Sequence, residues 1–110
     1  DLDYIQVASR EIMKCGTSSP QPGCDVAIRF LIQTTRNGPP NQVFAQLAYA
    51  FELANADPRV AGINLVSPED TPNALRDYDL QMSMIQYLSG INPQVKIALH
   101  LCEKTINLLR

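Results

Sequence analysis

A single histidine, His100, occurs in 110 residues. One imidazole cannot assemble a zinc site, which takes about four ligands. Basic clusters are also missing: nine Lys and Arg are scattered among eleven Asp and Glu, for a net charge of −2. That excludes the electrostatic footprint of a nucleic-acid binder. Every apolar run breaks off well short of membrane-spanning length, so neither a transmembrane helix nor a membrane partner is expected. The opening Asp1-Leu2-Asp3 has no basic n-region and no initiator Met. No signal peptide is therefore expected, and the missing Met suggests processing or an excerpt from a longer chain. The three cysteines lack metal-finger spacing. Cys15 and Cys24 flank a Gly/Ser/Pro loop, where a bridge in an oxidising compartment and two unpaired thiols are both open readings. Cys102 is either a nucleophile or a small hydrophobe at a strand end. No second histidine is present to activate its thiol.

The chain is 45% hydrophobic and 18% charged, which describes a globular domain, or part of one, rather than a disordered segment. Leu2, Ile5, Ala8, Ile12 and Met13 approximate a helical period over residues 2 to 14, with Gly16 as a stop. Residues 16–24 are loop chemistry and precede the first strand. Val26 to Thr35 reads as a strand ended by Arg36-Asn37-Gly38-Pro39-Pro40. Asn41 to Asn55 is an alanine-rich helix with Val43, Leu47, Ala50, Phe51 and Ala54 on one face. Val60 to Val66 is the second strand. Asn73 to Leu88 is a helix burying Leu75, Tyr78, Met82, Ile85 and Leu88, stopped by Gly90 and Pro93. Val95 to His100 is the third strand, and Ile106 to Arg110 begins a further helix or is cut off before it can.

Strands alternating with helices predict an α/β fold, a parallel βαβαβ unit. The strands read as nearly continuous apolar runs, which predicts a sheet covered on both faces. Their ends are polar: Gln33, Thr34, Thr35 and Arg36; Ser67, Glu69 and Asp70; His100 and Glu103. In a parallel sheet all three ends share one edge, where α/β folds place their sites. His100 is a metal ligand, a general base or a hydrogen-bonded strand-end residue. Glu103 is a general acid or base, or a carboxylate at a helix start. Glu69 and Asp70 bind a cation or polar substrate, or flank the helix entry at Asp70-Thr71-Pro72-Asn73. Arg36 holds an anion or an internal carboxylate, or lies in a surface loop.

Val60-Ala61-Gly62-Ile63-Asn64-Leu65-Val66-Ser67-Pro68-Glu69-Asp70-Thr71, followed by Leu75-Arg76-Asp77-Tyr78, resembles the V-x-G-x-D-L-x-G-x-E strand and following helix of the adenosine deaminase family. That family is a group of metal-dependent amidohydrolases. The Glu-Asp-Thr continuation is most similar to the secreted, adenosine deaminase-related growth factor branch, which favours an extracellular location. His100-Leu101-Cys102-Glu103 resembles the family's H-A-G-E motif, and the strand ending in Arg36 resembles the strand before. The resemblance runs from about Val26 onward. It implies that residues 1–110 are a partial (β/α)₈ TIM barrel carrying strands three to five. It also implies His100 as a zinc ligand, Glu103 as the catalytic acid toward the purine ring, and Ser67, Glu69 and Arg36 toward the purine nucleoside substrate. Zinc in such a site lowers the pKa of its water to about 7.

Three departures bear on activity. The family aspartate is Asn64, a glycine is Ser67, and Ala-Gly is Leu101-Cys102. Glycine at such positions serves close approach or unusual backbone angles. The family's His-x-His pair and its later histidine and aspartate have no counterpart in this chain. The expectation is a section of a larger zinc hydrolase, inactive alone and prone to self-association through its sheet edges. The alternative is a non-catalytic α/β module acting through binding.

Overall fold

Two prolines and an alanine-rich stretch launch the helix on which the fold is built. In the computed structural model, which describes residues 1–100, α2 (Pro40–Ala56) starts with proline in its first turn. Proline suits that turn because its missing N–H would be unsatisfied there anyway. α2 buries Val43, Leu47, Ala50 and Phe51, the face that the 3.6-residue period predicts. That face lies on a three-stranded parallel sheet of β1 (Phe30–Thr35), β2 (Val60–Val66) and β3 (Lys96–Leu99), ordered β1-β2-β3. After β2 come α3 (Pro72–Arg76) and α4 (Tyr78–Ile91), and α1 (Leu2–Ile12) precedes the sheet. The α/β, parallel βαβαβ expectation holds. No helix among the described residues is long and apolar enough to cross a membrane.

The register sorts side chains by face. Ile32, Ile63 and Ile97 form one cross-strand row, and Thr34, Leu65 and Leu99 the next. Ile63 and Leu65 join Val43, Leu47, Ala50, Phe51, Ile85, Leu88 and Val95 in one core beneath α2 and α4. Each large side chain buried there contributes about 1.5–3 kcal/mol. The opposite face carries Leu31 and Gly62, then Gln33, Asn64 and Ala98, then Thr35 and Val66. Leu31 is 53% exposed, and Gln33 and Thr35 are also exposed. The expectation of cover on both faces is therefore corrected: among the described residues, α2 and α4 share one face. β1 accordingly alternates between covered and open residues.

Other boundaries differ for local reasons. β1 begins at Phe30 rather than Val26, because the ladder opens only with the Phe30 N–H donating to the Arg59 carbonyl at 2.8 Å. The expected helix over 73–88 is broken at Asp77 (φ −104°, ψ 12°). Ile85 and Leu88 are buried as expected and Gln81 joins them, whereas Leu75 in α3 and Tyr78 at the start of α4 are exposed. α4 also runs through Gly90 to Ile91 and stops before Pro93. α1 ends at Ile12, and the chain reverses through Lys14 (φ 56°) and Gly16 (φ 79°). Cys15 and Cys24 form a disulfide, which selects the bridged alternative. Closing so short a loop is worth roughly 2–3 kcal/mol. α1 buries none of its residues, so its apolar stripe with Ile5 and Ile12 is solvent-facing. Arg59 tethers α1 to the sheet: it reaches Asp3 at 2.7 Å and Gln6 at 3.0 Å while gripping Asp57 at 2.6 Å. The segment 101–110, with Leu101, Cys102, Glu103 and the expected last helix, lies outside the described residues.

Gly62 occupies the tightest point of the sheet. A Cβ there would stand 2.4 Å from the Lys96 carbonyl oxygen of β3. Gly62→Ala is expected to destabilise the chain by about 2 kcal/mol, read as a lowered urea midpoint. An unchanged midpoint would show that β3 can move away from β2 at no cost. The Asp57 carboxyl is held down at about 2, from 3.8, by side-chain hydrogen bonding and then main-chain hydrogen bonding from Arg59. A depressed folded value means that the stabilisation is complete above pH about 4 and is lost as the pH falls toward about 2. Acid unfolding of Asp57→Asn, followed by circular dichroism, is expected to lose that part of the pH dependence.

Candidate functional site at the C-terminal strand edge

The parallel register brings the ends of β1, β2 and β3 to one edge. Arg36 follows β1, Ser67 follows β2 with Glu69 two residues on, and His100 follows β3. His100 is exposed there. Its N–H donates to the Leu65 carbonyl at 3.0 Å, which extends the β2–β3 ladder past Leu99. Glu69 is half-buried and Asp70 exposed in the loop that leaves β2. That loop is also a helix entry, since Pro72 opens α3 as the sequence suggests. Glu103 and Cys102 lie outside the described residues.

Arg36 is not a loop residue in solvent. It is 3% exposed, and its guanidinium turns back over the strand ends. Nη2 donates to the Leu65 carbonyl at 2.9 Å and to the His100 carbonyl at 2.8 Å. Nε donates to the Val66 carbonyl at 3.3 Å. Nε and Nη2 of Arg36 are thus both engaged with main-chain oxygens. A rigid planar cation satisfies several carbonyls at once in a way that an ammonium cannot.

Ser67 has φ 86°, in the left-handed region that favours glycine. The position is thus glycine-like in backbone although it holds serine. Asn64 is half-buried on the open face, beside Gln33 and Ala98 in register.

Sequence reasoning missed the groups that brace this edge. Gln81, 1% exposed, donates from Nε2 to the Arg36 carbonyl at 2.9 Å. The Thr71 hydroxyl donates to Asn37 Oδ1 at 2.6 Å, and Asn73 Nδ2 donates to the Asn37 carbonyl at 2.6 Å. These bonds tie the loops after β1 and β2 together. The signal for Gln81 was available: it lies four residues before Ile85 and seven before Leu88, on their helical face. Asp77 is 7% exposed, and Arg76, reaching it at 2.6 Å, holds its carboxyl below the usual range through a side-chain hydrogen bond.

Among the described residues, no three His, Cys, Asp or Glu gather into a group able to hold a metal. A hollow of about 350 Å³ lies away from this edge, between α1, α2 and Arg59, lined by Asp1, Asp3, Tyr49 and Asp57. It brings no imidazole or thiol together.

Ser67→Gly is expected to raise stability by about 1 kcal/mol by relieving the left-handed strain. A β-branched Ser67→Val should lower it, and the opposite order of urea midpoints would show that the serine conformation is unstrained. In the comparisons with known proteins, no family model, no curated protein and no solved structure matches this chain.

Proposed function

We propose that this chain is a section of an adenosine deaminase-like hydrolase barrel carrying its third to fifth strands. The parent then converts adenosine or a related purine nucleoside to the inosine form and ammonia. The observation that carries the reading is convergence: three parallel strands in sequential order deliver Arg36, Ser67 with Glu69, and His100 to one edge. Helices packed on one face, with the other open, also suit a barrel wall better than a doubly wound sheet. The left-handed Ser67 supports the resemblance from another side, since it falls where the family has glycine. The Cys15–Cys24 bridge suits an oxidising compartment, in keeping with the secreted branch of that family.

Zinc belongs to this proposal as the parent's cofactor, with His100 supplying one donor. The described residues do not fit the ion by themselves, because no cluster of three ligand-type side chains forms. The remaining ligands would come from other strands of the parent, and no catalytic step is assigned to the described residues. Glu103 enters as the proton donor to the purine ring on the strength of the H-A-G-E resemblance. The second reading is a non-catalytic homologue acting through binding. It draws on Asn64, an amide where the family has a carboxylate.

The test is ammonia release from adenosine by the complete gene product in zinc-containing buffer, with the 110 residues assayed beside it. Deamination by the former and none by the latter is expected, with His100→Ala in the former lowering kcat/KM more than about 100-fold. A zinc-loaded gene product that leaves adenosine intact would favour the binding module. Deamination by the 110 residues alone would end the barrel-section reading.

A further inference from the structure

β3 is only four residues long and pairs with β2 from Lys96 to Leu99. Among the described residues, its last rung toward the edge is the His100 N–H on the Leu65 carbonyl, at 3.0 Å. On β2 the strand ends at Val66, and Ser67 follows it with φ 86°. A rung at the end of a short strand frays unless something holds it.

Arg36 stands where the next rung would be. One nitrogen, Nη2, reaches both the Leu65 carbonyl at 2.9 Å and the His100 carbonyl at 2.8 Å. The guanidinium therefore bridges β2 and the end of β3 at the last main-chain rung among the described residues. Its backbone is anchored on two sides: its N–H donates to the Val66 carbonyl at 3.1 Å, and its carbonyl accepts from Gln81 at 2.9 Å. A continuous path runs from α4 through Gln81 to Arg36, and from Arg36 to the peptide that carries the imidazole. Both links are buried, Gln81 at 1% and Arg36 at 3% exposure.

We propose that Arg36, seated by Gln81, is the positioning residue for His100: it fixes the His100 peptide at the end of β3, and with it the point from which the ring leaves the sheet. The task assigned to that ring rests on the proposed function, but its placement does not. Lysine cannot reproduce the device, since a point charge on a flexible stem lacks the planar fork that spans two strands.

His100 is the only histidine, so its ring gives the only imidazole signals in the ¹⁵N spectrum of the full chain. Arg36→Lys is expected to speed amide exchange at His100 about tenfold and to move the imidazole signals, while exchange at Ile63 stays near the parent rate. Gln81→Met keeps the buried volume but cannot donate to the Arg36 carbonyl, and should give a smaller change of the same kind. Should Arg36→Lys fail to fold, Gln81→Met decides. Unchanged His100 exchange and ring signals overturn the proposal, as does a uniform rise at Ile63 and His100 alike, which marks general loosening only. None of these readouts uses zinc or adenosine. A gene product without deaminase activity would thus overturn the proposed function and leave this inference standing.

Discussion

Burial of one face of a parallel sheet under α2 and α4 is the constraint on which everything else depends. Parallel neighbours cannot be joined by a tight turn, so a long crossover has to return the chain to the edge where the strand began. Here α2 makes the first return, and α3 with α4 the second. Val43, Leu47 and Phe51 share a core with Ile63 and Leu65 of the central strand. β2 is paired on both sides, and Gly62 lets β3 approach it more closely than any side chain would allow. Only after that face is covered do the three strand ends have a fixed common edge.

At that edge, the polar groups answer first to the backbone. Strand ends leave carbonyls without ladder partners, and buried carbonyls need donors. From one planar group Arg36 donates to the His100 carbonyl and adds a second donor to the Leu65 and Val66 carbonyls, which each already accept a main-chain N–H. Asn37, Thr71 and Asn73 do the same work between loops with shorter side chains. The strand-end edge is therefore held by a frame of hydrogen bonds, and His100 is exposed at its end rather than buried within it. The open face, with Gln33 and Asn64 beside Leu31 and Val66, is neither a core nor a fully polar surface. That mixture is consistent with the proposed barrel, whose interior would be formed by such a face.

Much of the fold was legible in the residues. The helical face of α2 was read correctly because its apolar positions recur without interruption. β2 was legible from Val60 to Val66 because turn-forming residues bound it on both sides. In the helix after β2, Met82, Ile85 and Leu88 face the core as their spacing predicts, while Leu75 and Tyr78, on either side of the break at Asp77, are exposed, because a periodicity count has no term for a break. β1 was read too long for a different reason: Val26 to Arg29 are strand-like in type, but a strand exists only opposite a partner, and the pairing starts at Phe30. At the site, His100 and Ser67 were visible as residue types in sequence order. Gln81 was not singled out, and the burial of Arg36 against main-chain carbonyls was not foreseen, because their partners lie 45 and 64 residues away.

The sequence by itself determined the α/β alternation, the apolar face of α2 and the shared edge for polar strand ends. These follow from local periodicity and from the handed, covalent order of the chain, which short-range physics governs. Only tertiary structure decided that both helical layers lie on one face, that the Cys15–Cys24 alternative resolves to a bridge, and that Arg36 turns back onto Leu65, Val66 and His100. A guanidinium bonds whichever acceptors lie within its reach, and here they are oxygens on two other strands, brought within 3.3 Å by packing that no local pattern encodes.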